Sequence, residues 1–319
     1  MRRAPVQTCP LCSSSSSWQT VLHGVWDYIS DERFDVARCA SCGLAVTDPM
    51  PGDDVIERYY SARYRGDRHS FTDRMRIALR ARMLTKHFRD GFRGRFLDIG
   101  CGWGDFALAM RRRGWDACVT EINAASLEKL RAAGIDARTP DEAMAGDGFG
   151  RAFDAITCWH VLEHVTQPDE LVRWARRIVS PDGLFQVTVP SLSSWQAKLG
   201  RTRWLHLDVP RHRYHFTRAT LRRILEDNGF EVIDTATFAL EYDWFGWVQT
   251  GLNAVCSRPN VLFERVTSQA RRWPGTRADV ALSVGLAPPV AGLSLPLALL
   301  SWACGAGATL TMTCRRSPS

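Results

Sequence analysis

Short apolar runs alternate with helical runs through the middle of the chain. The runs Phe96–Ile99, Ala117–Thr120, Asp154–Trp159 and Phe230–Phe238 have the length and composition of buried strands. The segments between them place apolar side chains at helical spacing. This alternation predicts βαβ units around a parallel sheet, and hence an α/β core over residues 95–239.

Two helical segments precede this core. Residues 53–60 open with acidic side chains, which favour the start of a helix. Residues 68–88 place apolar side chains at helical spacing, with arginines between them. We expect residues 51–94 to form a helical linker or cap that is docked by one face and solvated on the other.

The C-terminal part contains a long uncharged segment. No charged residue lies between Val280 and Cys314, and a membrane-spanning helix needs about 20 consecutive apolar residues. Pro288, Pro289 and Pro296 are expected to divide this segment into pieces too short to cross easily. Residues 308–314 alternate as a strand does.

Composition adds a basic surface to this picture. The hydrophobic share of 45% and the charged share of 24% are those of an ordinary globular protein. The net charge of +7 comes almost wholly from arginine, and it permits contact with phosphates, nucleic acid or an anionic membrane, or a simply solvated surface. Residues 1–9 lack the apolar region of a secretory signal, so we expect a cytoplasmic protein.

Four of the ten cysteines form two closely spaced pairs, Cys9 with Cys12 and Cys39 with Cys42. Two residues between paired cysteines let a tight turn direct both thiolates at one ion, and two such turns supply a closed tetrahedral zinc site. The pattern predicts a structural zinc ribbon over residues 1–50, with a redox pair as the alternative. We expect the spacer to form a β-hairpin with an aromatic face. The other six cysteines are interpreted as core or interface residues: Cys101, Cys118, Cys158, Cys256, Cys304 and Cys314.

A glycine-rich loop follows the first strand of the core. Gly100, Gly102 and Gly104 let the backbone turn sharply and approach a ligand closely at the carboxyl end of a strand. The dinucleotide fingerprint would require glycine at position 105, which is Asp105, so the loop fits a nicotinamide cofactor less well. Glu121 ends the second strand, where a carboxylate can accept both hydroxyls of a ribose.

The loop belongs to a longer series of motifs. Asp98–Gly104, Glu121, residues 153–165 and residues 181–190 resemble, in this order, the motifs of class I S-adenosylmethionine (SAM)-dependent methyltransferases. The resemblance covers about residues 95–238, and bacterial members with an N-terminal zinc ribbon are also similar over residues 9–64. It implies a Rossmann-like, doubly wound sheet of seven strands whose last strand is antiparallel.

The same resemblance implies how SAM is held. Asp98 and the glycine loop would bind the methionine part, Glu121 the ribose, and residues 139–142 would lie beside the adenine. The cofactor contacts implied in this way are Asp98, Gly100, Cys101, Gly102, Gly104, Glu121, Asp141 and Trp159.

The family's topology also gives the apolar segment a place. If residues 307–319 contain the returning last strand, residues 240–306 form an insertion before it, and a single membrane crossing is excluded. We expect an apolar helical hairpin that dips into one leaflet, flanked by Arg271, Arg272, Trp273 and Arg277. A helical pair buried within the protein is the alternative.

A histidine-rich segment follows the fourth strand. His160, Glu163 and His164 formally match the inverted zinc-protease pattern, but they follow a strand directly, where this methyltransferase family carries a similar Leu-Glu-His. Ubiquinone-pathway O-methyltransferases have a related Glu-x-x-Glu-His pattern associated with a divalent ion. His160 departs from it at the first position, and imidazole suits zinc-like ions better than magnesium. Bracing of the following helix by Glu163 and His164 is the alternative.

Methyl transfer to a hydroxyl requires a base with a pKa near neutrality, and histidine suits this role. We predict that His160 or His212 is the general base, with Glu163 and His164 in the same catalytic cluster. Residues 208–217 resemble the family's Asp-x-Pro-x-His-x-x-His-Phe segment, which roofs the acceptor pocket. Arg211 and His215 are therefore expected to contact the acceptor, although His215 and Phe216 could instead cap the helix of residues 218–228.

The sequence thus indicates a methyltransferase that acts on a small or lipid-linked acceptor, at an oxygen atom and at the inner face of a membrane. An RNA methyltransferase is the alternative enzyme, since a zinc ribbon and basic charge would serve RNA binding. The segment after strand four lacks the Asn/Asp-Pro-Pro-aromatic run of many such enzymes, which argues against nucleic acid. A zinc-bearing scaffold without turnover is a third hypothesis, and the oligomeric state is not indicated.

Overall fold

Two β-sheets, eleven α-helices and three short 3₁₀-helices make up the part of the chain that the computed structural model describes, namely residues 8–15, 17–60, 71–145, 148–237, 239–267 and 275–317. The strands are β1 Trp18–Trp26, β2 Arg33–Cys39, β3 Ala45–Asp48, β4 Arg95–Ile99, β5 Asp116–Thr120, β6 Asp136–Arg138, β7 Phe153–Trp159, β8 Val179–Pro190, β9 Tyr214–His215, β10 Phe230–Ala236 and β11 Thr309–Arg316. The α-helices are α1 Asp53–Ile56, α2 Phe71–Thr85, α3 Asp105–Arg112, α4 Ala124–Ala132, α5 Pro140–Met144, α6 Pro168–Ile178, α7 Trp195–Gly200, α8 Arg218–Asp227, α9 Leu240–Val255, α10 Val261–Thr267 and α11 Arg277–Ala303.

The larger sheet has seven strands in the order β10-β11-β8-β7-β4-β5-β6. Strands β4 to β8 pair in parallel, whereas β11 lies antiparallel between β8 and β10. The central strands are buried on both faces because helices cover the sheet, which explains their continuous apolar runs. The predicted seven-stranded architecture with an antiparallel last strand is confirmed.

The smaller sheet joins the cysteine-bearing segment to the core. Strands β1 and β2 form the predicted antiparallel hairpin, and β3 extends it. The fourth strand, β9, comes from far along the chain, with Ala45 opposite His215 and Val46 opposite Tyr214. Cys9 and Leu44 pack in the same hydrophobic cluster as residues of β4 and β8. The N-terminal sheet is therefore completed by the chain that follows β8.

The segment between β10 and β11 is helical, and its longest helix differs from the prediction. Helix α11 is continuous from Arg277 to Ala303, with Pro288, Pro289 and Pro296 inside it, so the expectation that the prolines divide this segment is wrong. A proline removes the hydrogen bond to the carbonyl four residues earlier. Here those carbonyls belong to residues 284, 285 and 292, which are all exposed, so solvent can satisfy them.

Helix α11 packs along α9, and both of its ends are bonded to the rest of the protein. Near its start, Asp279 accepts a hydrogen bond from the amide of Ser257 at 2.6 Å, and just beyond its end the carbonyl of Ala308 accepts from Ser191 at 2.8 Å. Among the described residues, α11 is the one helix long and apolar enough to cross a membrane by length and composition. Because both ends of α11 are bonded to the rest of the protein, the chain returns after this helix to the domain from which it came. Arg271, Arg272 and Trp273 lie outside the described residues, and Arg277 begins the helix.

The surface of α11 is inverted relative to an ordinary amphipathic helix. Its buried residues are small or polar: Asp279, Ser283, Ser294, Ala298 and Ser301. Its large apolar residues face outward, and Leu293 is 67% exposed. A helix of a water-soluble protein normally buries the apolar stripe.

Candidate active site

The glycine loop leaves β4 at the carboxyl edge of the larger sheet. All three glycines have positive φ, at 65° for Gly100, 58° for Gly102 and 77° for Gly104. A Cβ at Gly100 or Gly104 would come within 2.4 Å of Val161 or Leu130, whereas one at Gly102 would meet nothing within 4 Å. Two of the glycines are thus required by packing, and the third faces open space in which a ligand can approach the backbone.

Asp98 lies beside this loop, near the end of β4. Its side chain is buried, and Oδ1 accepts a hydrogen bond from Thr157 Oγ1 at 2.7 Å. Burial raises the pKa of Asp98 to about 6, although the bond from Thr157 acts in the opposite direction. A buried carboxylate with few partners fits the cationic amino group of a SAM methionine moiety.

Glu121 connects the glycine loop to the end of β5. Its Oε2 accepts from the amide of Gly102 at 2.8 Å, and its Oε1 accepts from the amides of Ile122 and Asn123 at 2.8 and 3.0 Å. A carboxylate has about four acceptor sites, and the three backbone amides leave about one for a ribose hydroxyl. The carboxylate both fixes the loop and lies where the sequence predicts the ribose.

The remaining predicted SAM contacts surround the same edge. Asp141 is exposed in the first turn of α5, which Thr139 caps. Cys101 lies in the loop itself, and burial raises the pKa of its thiol far above the usual range. Trp159 ends β7, and the guanidinium carbon of Arg80 lies 4.2 Å from the centre of its ring.

Arg80 belongs to α2 and was missed by the sequence analysis. Its charge acts on Asp98 and lowers the pKa of that carboxyl, against the larger effect of burial. The arginines of α2 were visible in the sequence, but their spacing does not show which of them faces the sheet. Helix α2 therefore lies against the sheet edge that bears the glycine loop.

His160 and Glu163 follow β7 directly. His160 Nδ1 lies 3.2 Å from Glu163 Oε1, and His160 adopts an unusual positive φ of 53°. Glu163 is 1% exposed, and its Oε2 is buried without a hydrogen-bond partner among the described residues. Burial raises the pKa of Glu163 to about 7.

His164 and His212 lie against each other, with ring centres 4.6 Å apart. His164 Nδ1 is 2.9 Å from the carbonyl oxygen of Arg211, and His212 Nδ1 is 3.0 Å from that of His206. A carbonyl only accepts, so each Nδ1 carries the proton and each Nε2 is bare in the neutral imidazole. Burial, helped by the charge of His164, lowers the pKa of His212 well below its usual range. The structure thus brings together all four residues predicted for the catalytic cluster.

Two further aromatic residues were missed by the sequence analysis. Tyr242, on helix α9 of the insertion, stacks on His160 with ring centres 4.2 Å apart. Its carbonyl oxygen lies 3.1 Å from Nε2 of His206, and burial lowers the pKa of His206 to about 4. The aromatic segment that contains Tyr242 is evident in the sequence, but only the tertiary contact shows that the insertion reaches the catalytic cluster.

Arg211 lies in a different place from the predicted one. Its side chain is fully buried, and Nη2 lies 2.9 Å from Asp27 Oδ1 and 2.7 Å from Asp208 Oδ1. Nη1 donates to the carbonyl of Tyr59 at 2.8 Å. This position replaces the predicted acceptor contact with an ion pair that ties the β1–β2 hairpin to the core.

His215 also differs from its predicted role. It lies in β9, buried, with Nε2 3.0 Å from Thr47 Oγ1. Burial lowers the pKa of His215 to about 4. Thr217, rather than His215, caps helix α8. The predicted acceptor contact is thus replaced by a bond between neighbouring strands β3 and β9 of the smaller sheet.

The four paired cysteines meet at one point. Cys9 and Cys42 Sγ atoms are 3.4 Å apart, those of Cys12 and Cys39 are 3.8 Å apart, and all four lie within 4.8 Å of one another. A tetrahedral zinc ion with bonds of about 2.3 Å places its sulfur ligands roughly 3.8 Å apart. The donor set and its spacing fit zinc.

Comparisons with known proteins agree with this geometry. A family model described as "Methyltransferase domain" matches residues 64–235. A ubiquinone biosynthesis O-methyltransferase from Paracidovorax citrulli (strain AAC00-1) is 40% identical over 99 residues, which cover 28% of this chain and 40% of the relative. The corresponding protein from Neisseria meningitidis (serogroup A / serotype 4A, strain DSM 15465 / Z2491) is 31% identical over 156 residues, 44% of this chain and 65% of the relative.

These curated relatives are matched over less than two thirds of their own length. A SAM-dependent methyltransferase from Mesorhizobium loti has a similar solved structure, with a TM-score of 0.43 and 18% identity over 75% of this chain and 96% of that chain. The family match covers more than half of this chain and includes the glycine loop, Glu121 and the histidine cluster. The chain therefore belongs to the class I SAM-dependent methyltransferases.

Proposed function

We propose that this protein transfers a methyl group from SAM to an oxygen atom of a small or lipid-linked acceptor at the inner face of a membrane. The observation that carries the proposal is a polar cluster at the sheet edge that bears the glycine loop, in which His160, Glu163 and His164 follow β7 and His212 comes from the segment before β9. The relatives named as ubiquinone biosynthesis O-methyltransferases support an oxygen atom of a lipid-linked, quinone-type acceptor.

The described residues fit the steps of such a transfer. Asp98 and the glycine loop hold the methionine part, and Glu121 holds the ribose. When bound, SAM supplies the methyl group, whose bond to the sulfonium sulfur breaks as the bond to the acceptor oxygen forms. His212 Nε2 takes the hydroxyl proton, because its Nδ1 already donates to the carbonyl of His206. Burial lowers the pKa of His212, so it is a weaker base than an exposed histidine. Tyr242 and the cluster hold the acceptor in line and exclude water.

The inverted surface of α11 supports action at a membrane. Its outward leucines gain about 25 cal/mol for each Å² removed from water, whereas its small inward residues leave little apolar surface to bury in the protein. Because both ends return to the domain, the helix would lie along the interface rather than cross it. Tyr242 on the adjoining helix α9 links this face to the catalytic cluster.

Charged substitutions on α11 are expected to release the protein from membranes. A Leu293→Glu and Leu300→Glu double variant should fail to float with anionic lipid vesicles, whereas the unaltered protein floats with them. Ile122→Glu is the matched control. Ile122 is also 67% exposed, but it lies in the loop after β5 and not on α11. Equal flotation of the double variant and the unaltered protein would contradict the membrane assignment.

Methyl transfer itself is tested with SAM carrying a labelled methyl group. We expect label to enter lipids extracted from a strain that lacks this protein, and that strain to accumulate a lipid lighter by one methylene group. Label in RNA instead would support an RNA methyltransferase. SAM binding without label transfer to either fraction would support a scaffold.

We also propose that the four paired cysteines hold a structural zinc ion. Four thiolates close the coordination shell and leave no position for a substrate. The ion would fix the turns that precede β1 and follow β2, next to the shared hydrophobic cluster.

A further inference from the structure

We infer that a cavity between the β1–β2 hairpin and the start of α11 binds a phosphate group. The cavity has a volume of about 380 Å³, which lies within the range of about 300–1,000 Å³ that small-molecule sites occupy. Its walls come from the hairpin, from residues 202–203, from residues 257–259 after α9 and from residues 275–279 at the start of α11. None of the residues that line it is assigned above to SAM or to the catalytic cluster.

The charged residues of the wall are three arginines and one carboxylate. Arg33, Arg203 and Arg258 contribute three positive charges and Asp279 contributes one negative charge, so the wall carries a net charge of +2. A concave surface of one sign concentrates ligands of the opposite sign. The planar fork of a guanidinium matches two oxygens of a phosphate group and binds them together. The cavity therefore favours a phosphate-bearing anion.

Two of these arginines are held by neutral groups. Arg33 Nη1 donates to the carbonyl of Gly24 at 2.9 Å. Arg203 Nη1 donates to the carbonyls of Asn253 and Cys256 at 2.6 and 2.7 Å. A carbonyl fixes the direction of a guanidinium without neutralising its charge, and neither arginine forms an ion pair within the part of the chain that the structure describes. Because a guanidinium has five N–H donors, several remain available to a ligand on each side chain.

Arg258 supplies an independent observation. Its Nη2 donates to the carbonyl of Tyr28 at 2.9 Å and lies 3.2 Å from Glu264 Oε1, and its guanidinium carbon lies 4.7 Å from the ring centre of Trp26. These contacts with the hairpin and α10 hold the side chain in place, so little side-chain freedom is lost on binding. Its Nε is buried and has no hydrogen-bond partner among the described residues. A buried N–H without a partner is costly, and a phosphate oxygen in the cavity that Arg258 lines is an acceptor of the required kind.

The carboxylate of the wall is occupied by hydrogen bonds within the protein. Asp279 accepts from the amides of Ser257 and Thr276 at 2.6 and 3.0 Å, and from both of their hydroxyls at 2.8 Å. Burial raises the pKa of Asp279, but these bonds outweigh burial and keep that pKa below its usual range. Asp279 thus ties the loop that carries Arg258 to the start of α11, and its oxygens are directed to that loop.

The position of the cavity favours a phospholipid as the source of the phosphate. Leu282 begins the outward apolar surface of α11 and follows Asp279 by three residues, which correspond to a helical rise of about 4.5 Å. A phosphate group in the cavity would therefore lie beside the apolar face of α11, as a headgroup lies beside its acyl chains. The choice of a lipid rests on the proposed function, whereas phosphate binding does not.

Titration of the full-length protein with inorganic phosphate, at constant ionic strength in a calorimeter, tests the site. The double variant Arg33→Gln with Arg203→Gln is expected to bind phosphate at least about tenfold more weakly, because it lacks two charged hydrogen-bond donors. Arg112→Gln with Arg177→Gln is the matched control. It removes the same charge from exposed positions of α3 and α6, and its phosphate affinity should equal that of the unaltered protein.

Folding of the variants is monitored by SAM binding. Arg33→Gln alone keeps the test valid if the double variant does not fold, because Arg33 is exposed and donates to one carbonyl. This single variant should still bind phosphate more weakly than the unaltered protein. Phosphate affinity that is unchanged in Arg33→Gln and in the double variant would overturn the inference, as would an unaltered protein that binds no phosphate.

Lipid vesicles distinguish the two sources of phosphate. We expect the protein to float more strongly with phosphatidylcholine vesicles that contain phosphatidic acid than with vesicles in which oleate supplies the same negative charge. The double arginine variant should lose this preference. Equal flotation with both vesicles, together with arginine-dependent binding of inorganic phosphate, would overturn the lipid source and support a soluble phosphate compound.

The site and the proposed function fail in different measurements. Leu293→Glu with Leu300→Glu should stop flotation and still bind inorganic phosphate as the unaltered protein does. Loss of phosphate binding in the arginine variants does not bear on whether label passes from SAM to lipid. Conversely, absence of label in lipid would leave the phosphate titration unchanged.

Discussion

Replacing Asp98 by Asn is expected to lower SAM affinity by about ten- to a hundredfold. A hydrogen bond to a charged group contributes about 1.5–3 kcal/mol, and each 1.4 kcal/mol is a factor of ten in affinity. We propose that the buried carboxylate beside the glycine loop pairs with the cationic amino group of SAM. Calorimetric titration of both proteins with SAM at pH 8 measures the difference.

The pH dependence of binding distinguishes charge from shape. The pKa of Asp98 is about 6, so the carboxyl is ionised above this pH and protonated below it. SAM affinity of the unaltered protein should fall as the pH drops below 6, and the Asp98→Asn variant should lack this dependence.

Stability provides the control for folding. The raised pKa means that ionisation of Asp98 costs free energy in the folded protein, so stability is lost as pH rises through about 6 and the full cost is present at pH 8. Without SAM, Asp98→Asn should therefore unfold at a higher denaturant concentration at pH 8. Asp116→Asn, at the exposed start of β5, should change neither quantity. Unchanged SAM affinity of Asp98→Asn would exclude Asp98 as the partner of the amino group.

Features encoded by neighbouring residues were predictable from the sequence. The glycine loop depends on a few consecutive backbone conformations, and the paired cysteines depend on two-residue turns. The place of β11 followed from the resemblance to a known topology together with the alternation of its residues. In each case the pattern and the structural constraint occupy the same short segment.

Features that depend on contacts between distant segments were not predictable in this way. Arg211 and His215 stand in a histidine-rich segment that suggests substrate contact, yet their partners Asp27 and Thr47 are more than 160 residues earlier in the chain. Tyr242 reaches His160 only because α9 folds back over the sheet edge. No local pattern reports such a contact.

For the prolines of α11, the local effect was predictable from the sequence, but its consequence for the helix was not. Their local effect on a helix is well defined, but its consequence depends on whether the freed carbonyls are exposed. The inverted surface of α11 is likewise visible only when the buried and exposed faces are known. The sequence showed that the segment is apolar, but it did not show which side chains face the protein and which face outward.

Replacing Arg211 by Ala is expected to reduce the free energy of unfolding by about 3–5 kcal/mol, because removing one partner of a buried ion pair leaves its counter-charges unpaired. The guanidinium lies between Asp27 and Asp208, and these carboxylates, with Asp27 fully buried, would lose their cation. Burial opposes the charge of Arg211, but Asp208 and Asp27 raise its pKa well above the usual range, so it is charged at any pH at which the protein folds. Denaturant unfolding followed by tryptophan fluorescence measures the loss.

Arg222→Ala is the matched control, because Arg222 forms an exposed ion pair with Glu226 one helical turn away, which contributes only about 0.3–0.5 kcal/mol. Adding Asp27→Asn and Asp208→Asn to Arg211→Ala should restore part of the lost stability, since the uncompensated charges are then removed. An Arg211 that bound the acceptor would behave differently: its alanine variant would raise the KM for the acceptor and leave unfolding as in Arg222→Ala. A large loss of stability, partly reversed by the two asparagines, follows only from an ion pair that joins the N-terminal sheet to the core.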